Sequence, residues 1–192
     1  MLQYLDQLDR DLLIFLNGIH SPFWDEVMVA ITHRFFWIPL YVLIVFLLFK
    51  EYKKNVWLVL LIIIAMVITA DLFASSFMKP LTERLRPCRD VSINGLLHIV
   101  ENSCRGKYGF ISSHASNSFA LAVFLWLLLK NKYKWVSLFF GWAFIVSYSR
   151  VYLAVHYPGD VLIGALSGLI WAILFYNLYR YISDKYFSIT KN

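Results

Sequence analysis

The sequence predicts an all-α, polytopic membrane helical bundle of about five transmembrane spans, preceded by an N-terminal amphipathic helix in the membrane interface. Three observations predict it. Of the 192 residues, 60% are hydrophobic, whereas soluble domains sit nearer half. The apolar residues come in runs long enough to cross about 30 Å of hydrocarbon. Residues 56–78 carry a single charge, Asp71, and residues 160–179 a single charge, Asp160. The short loops between runs are basic.

The elements follow in chain order. In residues 2–17, Leu2, Leu5, Leu8 and Leu12 recur at spacings of three and four, with Asp6, Asp9 and Arg10 on other faces. That periodicity reads as a helix lying along the interface. Asn17-Gly18 ends it, and Ser21-Pro22 starts the next, with Ser21 as cap and Pro22 in the first turn. The first span lies within 24–49; His33-Arg34 interrupts it, so its deep part is 35–49. KEYKKN at 50–55 is a wet basic loop. The second span is 56–78, the third 113–129, the fourth 135–153 and the fifth 160–181, with a short polar tail. Trp24, Trp57, Trp135 and Tyr148 fall near span ends as interfacial anchors. No repeat or low-complexity tract divides the chain. One membrane-integral domain is expected over 1–192, with 1–20 as the interfacial helix and 79–112 as an outer catalytic segment. The acidic start MLQYLDQLDRD shows no short apolar run leading to a small-residue cleavage site, so no cleavable leader is expected.

Orientation follows from lysine and arginine. Lys50, Lys53 and Lys54, then Lys130, Lys132 and Lys134, then Arg180, Lys185 and Lys191 all fall on one side of a five-span chain. The positive-inside rule makes that side cytoplasmic. Segment 79–112 and the turn at 154–159 then share the outer face. The outer segment is itself basic, which weakens the orientation if its charges are plain loop charge but not if they serve an anion. Both cysteines, Cys88 and Cys104, lie there. In an oxidising compartment they would pair, which in the chain-entropy model is worth roughly 3 kcal/mol; the alternative is two free thiols.

Three outer stretches carry the chemistry: KPLTERLRP (79–87), GFISSHASNSF (109–119) and SRVYLAVHYPGD (149–160). Each sits at the end of a span. A phosphate needs arginine forks, a lysine point charge and free N–H groups. Lys79, Arg86 and Arg150 supply the cations. Ser112 and Ser113 lie at a helix start, where backbone N–H groups and the dipole favour an anion. His156 is the candidate nucleophile, since a neutral imidazole attacks phosphorus without a metal. Asp160, four residues on, would accept a hydrogen bond from its other ring nitrogen. His114 would protonate the leaving oxygen and then deprotonate water. Taken singly, a histidine beside Pro-Gly is a turn residue, the reading for His20, His33 and His98. Arg84, Arg89 and Arg105 read as snorkelling arginines or headgroup contacts. Asp71 is costly inside a span; it either reaches Ser75 or a polar group of another span, or is inert scaffold in a wet cavity.

These stretches together resemble the type-2 phosphatidic acid phosphatase family, whose pattern is K-x-x-x-x-x-x-R-P, P-S-G-H and S-R-x-x-x-x-x-H-x-x-x-D. Lys79, Arg86 and Pro87 match the first; Ser149, Arg150, His156 and Asp160 complete the third. The second reads Ile111-Ser112-Ser113-His114, with isoleucine and serine in place of proline and glycine. The resemblance implies a helical bundle, a phosphohistidine on His156, no metal and no cofactor. Ser113 keeps the backbone N–H that the glycine supplies, while its hydroxyl either adds a donor or crowds the site. The expected partners are the bilayer and a membrane lipid phosphate, with no nucleic acid and no obligate protein partner. The expected place is the bacterial inner membrane, with the site facing the periplasm or outside. The first-choice substrate is undecaprenyl diphosphate; lipid A, then phosphatidic acid or phosphatidylglycerol phosphate, then phosphoryl transfer to another lipid are the alternatives.

Overall fold

The computed structural model describes residues 2–100 and 103–186, so Lys191 of the expected basic tail lies outside the described residues. Its helices are α1 (Leu2–Asn17), α2 (Pro22–Thr32), α3 (Ile38–Tyr52), α4 (Val56–Leu72), α5 (Lys79–Thr82), α6 (Ser113–Leu129), α7 (Leu138–Tyr152) and α8 (Pro158–Tyr186). No strand is formed among the described residues.

The caps act as their residue types dictate. Gly18 N–H donates back to the Ile14 carbonyl and closes α1. Ser21 Oγ accepts from Trp24 N–H with Pro22 in the first turn of α2. The interruption at His33-Arg34 is real: α2 stops at Thr32, and a 3-10 turn, Arg34–Trp37, leads into α3. α3 and α4 pack against each other across a second 3-10 break, Lys53–Asn55, where Lys53 takes a φ of 47°.

The bundle inverts part of the pattern of a soluble one, carrying large apolar side chains on its surface around an apolar core. Leu61, Ile64, Ile68 and Leu72 of α4 and Leu162, Leu166, Ile170 and Leu174 of α8 are exposed. Ser116, Ser118, Ser147 and Ser149, by contrast, are buried. The same inversion holds for α1: Leu5, Leu8, Leu12 and Phe15 face outward, while Asp9 and Arg10 turn toward the protein. Apolar surface gains nothing from burial when lipid is the alternative, so close backbone approach takes over as the packing force.

That approach is tightest between α6 and α8, the helices that carry His114 and Asp160. Gly164 and Gly168 of α8 lie against the backbone of α6. A Cβ added at Gly168 would fall 2.2 Å from the Ser116 carbonyl, and one at Gly164 2.6 Å from the Ser112 carbonyl. The apolar core is built around α4, α6 and the inner ends of α3, α7 and α8, including Met66, Phe124, Leu125 and Leu129.

By length and composition two stretches qualify as membrane crossings, 34–82 and Pro158–Tyr186, and the apolar α6 is shorter. α6 and α7 have 17 and 15 residues, about 25 and 22 Å of helix at 1.5 Å per residue. Both are shorter than a full hydrocarbon thickness of about 30 Å, and the motif residues sit at one end of each.

Cys88 and Cys104 are joined by a disulfide, with Cα atoms 6.1 Å apart. Cys88 N–H donates to the Ala154 carbonyl in the turn between α7 and α8. Arg86 N–H donates to the Lys107 carbonyl, and Leu85 and Tyr108 pair as an isolated antiparallel bridge. The segment around Cys88 and Cys104 is thus stitched to itself and to the turn that carries His156.

Two outcomes follow from this packing. Gly168→Ala should lower thermal stability in detergent, by about 1–3 kcal/mol for overpacking against backbone that cannot yield; an unchanged melting temperature would mean that α6 and α8 separate more readily than the structure indicates. Replacing both Cys88 and Cys104 by serine should cost roughly 3 kcal/mol, read as a lower melting temperature that reductant reproduces in the wild type but does not change in the double variant.

Candidate active site

The site is assembled from three chain ends. The first is the end of α4 and its continuation. Between Leu72 and Lys79 the helix widens into a π-helical segment, Phe73–Met78, a distortion that recurs at functional sites. Eight residues of regular α-helix would leave positions 71 and 79 about 80° apart; one wider turn brings them close to a common face. Both then meet α6 one turn apart: Lys79 Nζ donates to Ser113 Oγ at 3.1 Å, and Asn117 Nδ2 donates to Asp71 Oδ1 at 3.1 Å. Asp71 therefore does reach a polar group of another span, and its carbonyl accepts from Ser75 Oγ. The hydroxyl at Ser113 is a partner of Lys79 rather than an obstruction.

The second end is the start of α6. Ser112 is its N-cap and is fully buried; its Oγ accepts from Ala115 N–H and its own N–H donates to the Asp160 carbonyl. His114 follows in the first turn, with Arg150 and Lys79 as charged neighbours and the His156 ring beside it.

The third is the turn from α7 to α8. Arg150 lies in the last turn of α7, 8% exposed. Its Nη1 donates to Thr32 Oγ1 of α2, while its Nε is buried without a partner. A guanidinium has five donors, and one left under-bonded in a buried site fits an incoming anion. Val155 and His156 both donate their N–H groups to the Arg150 carbonyl, and Ala154 takes a φ of 54°, so the turn is tight enough to point His156 back into the bundle.

His156 is 1% exposed and Asp160 fully buried. His156 Nδ1 lies 3.4 Å from Asp160 Oδ2, and Tyr157 N–H donates to the same oxygen at 3.1 Å. Burial pushes the His156 imidazole well below its ordinary value, and Arg150, Arg86 and Lys79 push it further. A neutral ring facing a carboxylate carries its proton on Nδ1, which leaves the Nε2 lone pair free. Arg86 donates through Nε to the Tyr108 carbonyl and acts electrostatically on His156 and Lys79. Gly109 passes so close to the carboxylate that a Cβ there would lie 2.9 Å from Asp160 Oδ2; no larger residue fits without displacing it.

The structure thus brings Lys79, Arg86, Ser112, Ser113, His114, Arg150, His156 and Asp160 into one neighbourhood. Reading Arg84 as a snorkelling or headgroup residue is corrected: Arg84 Nη1 donates to Asp160 Oδ1 at 2.7 Å. The sequence offered no signal for that pair, since an exposed-looking arginine in a polar segment has no periodicity to betray it. His98 is corrected too. It is no bare turn residue: Nε2 lies 3.0 Å from Asp25, its ring stacks on His20 at 3.6 Å, and Asn17 clasps its backbone.

A family model described as the PAP2 superfamily matches residues 56–184. A lipid A 4'-phosphatase of Bacteroides thetaiotaomicron is 45% identical over 179 residues, covering 92% of this chain and 79% of that protein. A lipid A 4'-phosphatase of Porphyromonas gingivalis is 31% identical over 189 residues, covering 96% and 78%. A putative undecaprenyl-diphosphatase of Escherichia coli is 32% identical over 136 residues, covering 66% and 65%. Among solved structures, the transmembrane PAP2-type phosphatidylglycerolphosphate phosphatase of Bacillus subtilis superposes with a TM-score of 0.72 at 29% identity, covering 96% of this chain and 89% of that one. The chain belongs to the PAP2 superfamily and is a lipid phosphatase of that type.

Proposed function

We propose that this protein removes a phosphate group from lipid A. The observation that carries the reading is the 45% identity to a lipid A 4'-phosphatase across 92% of the chain. It displaces undecaprenyl diphosphate, the first choice from sequence: the undecaprenyl-type relative matches less of the chain at lower identity. Nothing in the three motifs discriminates between the lipids, because all of them present the same phosphate.

The mechanism follows from the site. Lys79, Arg86 and Arg150, with the N–H groups at the start of α6, hold the phosphoryl oxygens and neutralise charge as it develops. His156 Nε2 attacks phosphorus. The bond from phosphorus to the lipid oxygen breaks, and His114, protonated once the phosphate's negative charge offsets the cations, gives its proton to that oxygen. Asp160 holds the Nδ1 proton and steadies the imidazole as it takes on charge. Water then attacks the phosphohistidine, His114 takes its proton, the P–N bond breaks and phosphate leaves. No step draws on a metal or cofactor. An apolar groove between the π-helical segment and α8, lined by Phe73, Met78, Ile111, Leu166 and Trp171, adjoins the cradle. Met78 and Ile111 are the chain neighbours of Lys79 and Ser112, so a lipid whose phosphate is bound has a place there for a tail. In this reading α3, α4, α6, α7 and α8 are five crossings of a bacterial inner membrane, 1–192 is one domain, and the site faces the periplasm.

The test is phosphate release by the detergent-purified protein with EDTA present, from lipid A, undecaprenyl diphosphate, phosphatidic acid and phosphatidylglycerol phosphate. Lipid A should be preferred, and His156→Ala should reduce release to below about one-thousandth of wild type. Release by the variant at the wild-type rate would sink His156 as nucleophile, and a preference for undecaprenyl diphosphate would sink the substrate assignment alone. A second outcome concerns pH. The lowered His156 value means that the neutral ring, ordinarily lost as pH falls through about 6.5, is present above that point and persists below it. Ring-labelled NMR of the substrate-free protein should show the His156 ring still neutral at pH values below its ordinary transition, with the proton on Nδ1 while Asp160 is ionised. A transition centred near 6.5 would contradict the burial and the three-cation field.

A further inference from the structure

Arg84 takes no place in the phosphate cradle, because carboxylates fill its fork. Nη1 donates to Asp160 Oδ1 at 2.7 Å; Nη2 donates to Asp9 Oδ2 at 2.8 Å and to Asp6 Oδ1 at 3.2 Å. The guanidinium also lies over the Tyr157 ring, 4.0 Å from its centroid. An anion approaching this fork would meet Asp6 and Asp9, so Arg84 is not a phosphate ligand.

The two oxygens of Asp160 are divided between two tasks. Oδ2 faces His156 Nδ1 and accepts from Tyr157 N–H, while Oδ1 is held by Arg84. A carboxylate turns about its Cβ–Cγ bond, so fixing one oxygen aims the other. Asp160 is fully buried, where an unpaired carboxylate is expensive. Among the described residues, Arg84 is the only arginine or lysine in ion-pair contact with it. The N-terminal helix holds both parts in place. Asp9 Oδ2 accepts from Arg84, and Asp9 Oδ1 accepts from Gly159 N–H at 2.7 Å, the residue before Asp160.

We propose that Arg84 is a positioning residue for the phosphatase reaction, holding Asp160 ionised and turned toward His156, and that Asp9 of the N-terminal helix locks Arg84 in that place. The proposal rests on the reading of His156 as nucleophile and Asp160 as its orienting acid. It makes α1 part of the working site rather than a membrane anchor alone.

The experiment is steady-state kinetics of the full-length protein in detergent, on whichever lipid of the panel above the wild type hydrolyses fastest. The variants are Arg84→Ala, Arg84→Lys, Asp9→Asn, Asp160→Asn and the double variant Arg84→Ala/Asp160→Asn. Melting temperatures verify that each is folded. Arg84→Ala should lower kcat about 10- to 100-fold, as loss of orientation does, with KM changed by less than about threefold. Arg84→Lys should recover part of the loss, and Asp9→Asn should show a smaller fall in kcat if Arg84→Ala itself does not fold. In the Asp160→Asn background, Arg84→Ala should add less than about threefold, because the group it serves is already gone. An Arg84→Ala kcat within twofold of wild type, beside a depressed Asp160→Asn, would overturn the proposal while leaving the nucleophile reading intact. So would full multiplication of the two losses, which marks a merely structural arginine. A rise in KM with kcat unchanged would make Arg84 a substrate ligand instead. Asp160→Asn as fast as wild type would remove the orienting role of Asp160 and this proposal with it.

Discussion

Holding Lys79, Arg86 and Arg150 together, none of them in ion-pair contact with a carboxylate among the described residues, is the constraint on which the rest of the structure depends. Like charges at short range in a low-dielectric site repel strongly, and Arg150 is nearly enclosed. The fold answers by ringing the cations with fixed polar groups rather than with free carboxylates. Arg150 rests on Thr32, Arg86 on the Tyr108 carbonyl and Lys79 on Ser113. Each of these partners is neutral, so the positive field survives for a substrate. The carboxylates stand one step back. Asp160 is bound to Arg84 and faces His156; Asp71 is bound to Asn117, one turn deeper than Lys79. Had Asp71 or Asp160 paired directly with the cradle cations, the site would have been neutralised before any phosphate arrived.

The same arrangement bears on His156, the proposed nucleophile, which is buried. A histidine among three cations disfavours its own protonation, and burial adds to that. Under the proposed mechanism the attacking form is then the resting form. The protein cannot use a surface histidine for this purpose, because water would screen the field that keeps the ring neutral. Setting the turn at 153–157 beneath the disulfide-bonded outer segment, with Cys88 N–H bound to the Ala154 carbonyl, achieves that enclosure.

Of the residues that the structure brings together around His156, those fixed by spacing within one element were the most legible in the sequence. His156 and Asp160 are one helical turn apart, and Ser112 is a cap followed at once by its helix. The helix starts at Ser21 and Pro22 and the breaks at His33 and Lys53 were legible for the same local reason. The contacts of Arg84, Asp9 and Asn17 were not. They join residues far apart in the chain, on elements whose relative placement depends on packing against lipid as well as protein. The leucine periodicity of α1 revealed an amphipathic helix but not that its acidic face would turn inward. In a soluble protein the leucines would have been the buried side.

That inversion decides what the N-terminal helix can do. With Leu5, Leu8 and Leu12 directed outward and Asp6 and Asp9 bound to Arg84, its apolar face is left to the surroundings and its polar face is tied to the turn that carries His156. A helix tied by ion pairs on one side passes any shift in its position to whatever it is paired with. Here the chain of contacts is short: Asp9 to Arg84, Arg84 to Asp160, Asp160 to His156. The two Asp9 contacts also differ in kind, a charged pair to Arg84 and a hydrogen bond from Gly159 N–H. Loss of the carboxylate charge weakens the first far more than the second, since an amide oxygen still accepts from a backbone N–H. The electrostatic part of the link therefore runs through Arg84, and the geometric part through the first turn of α8.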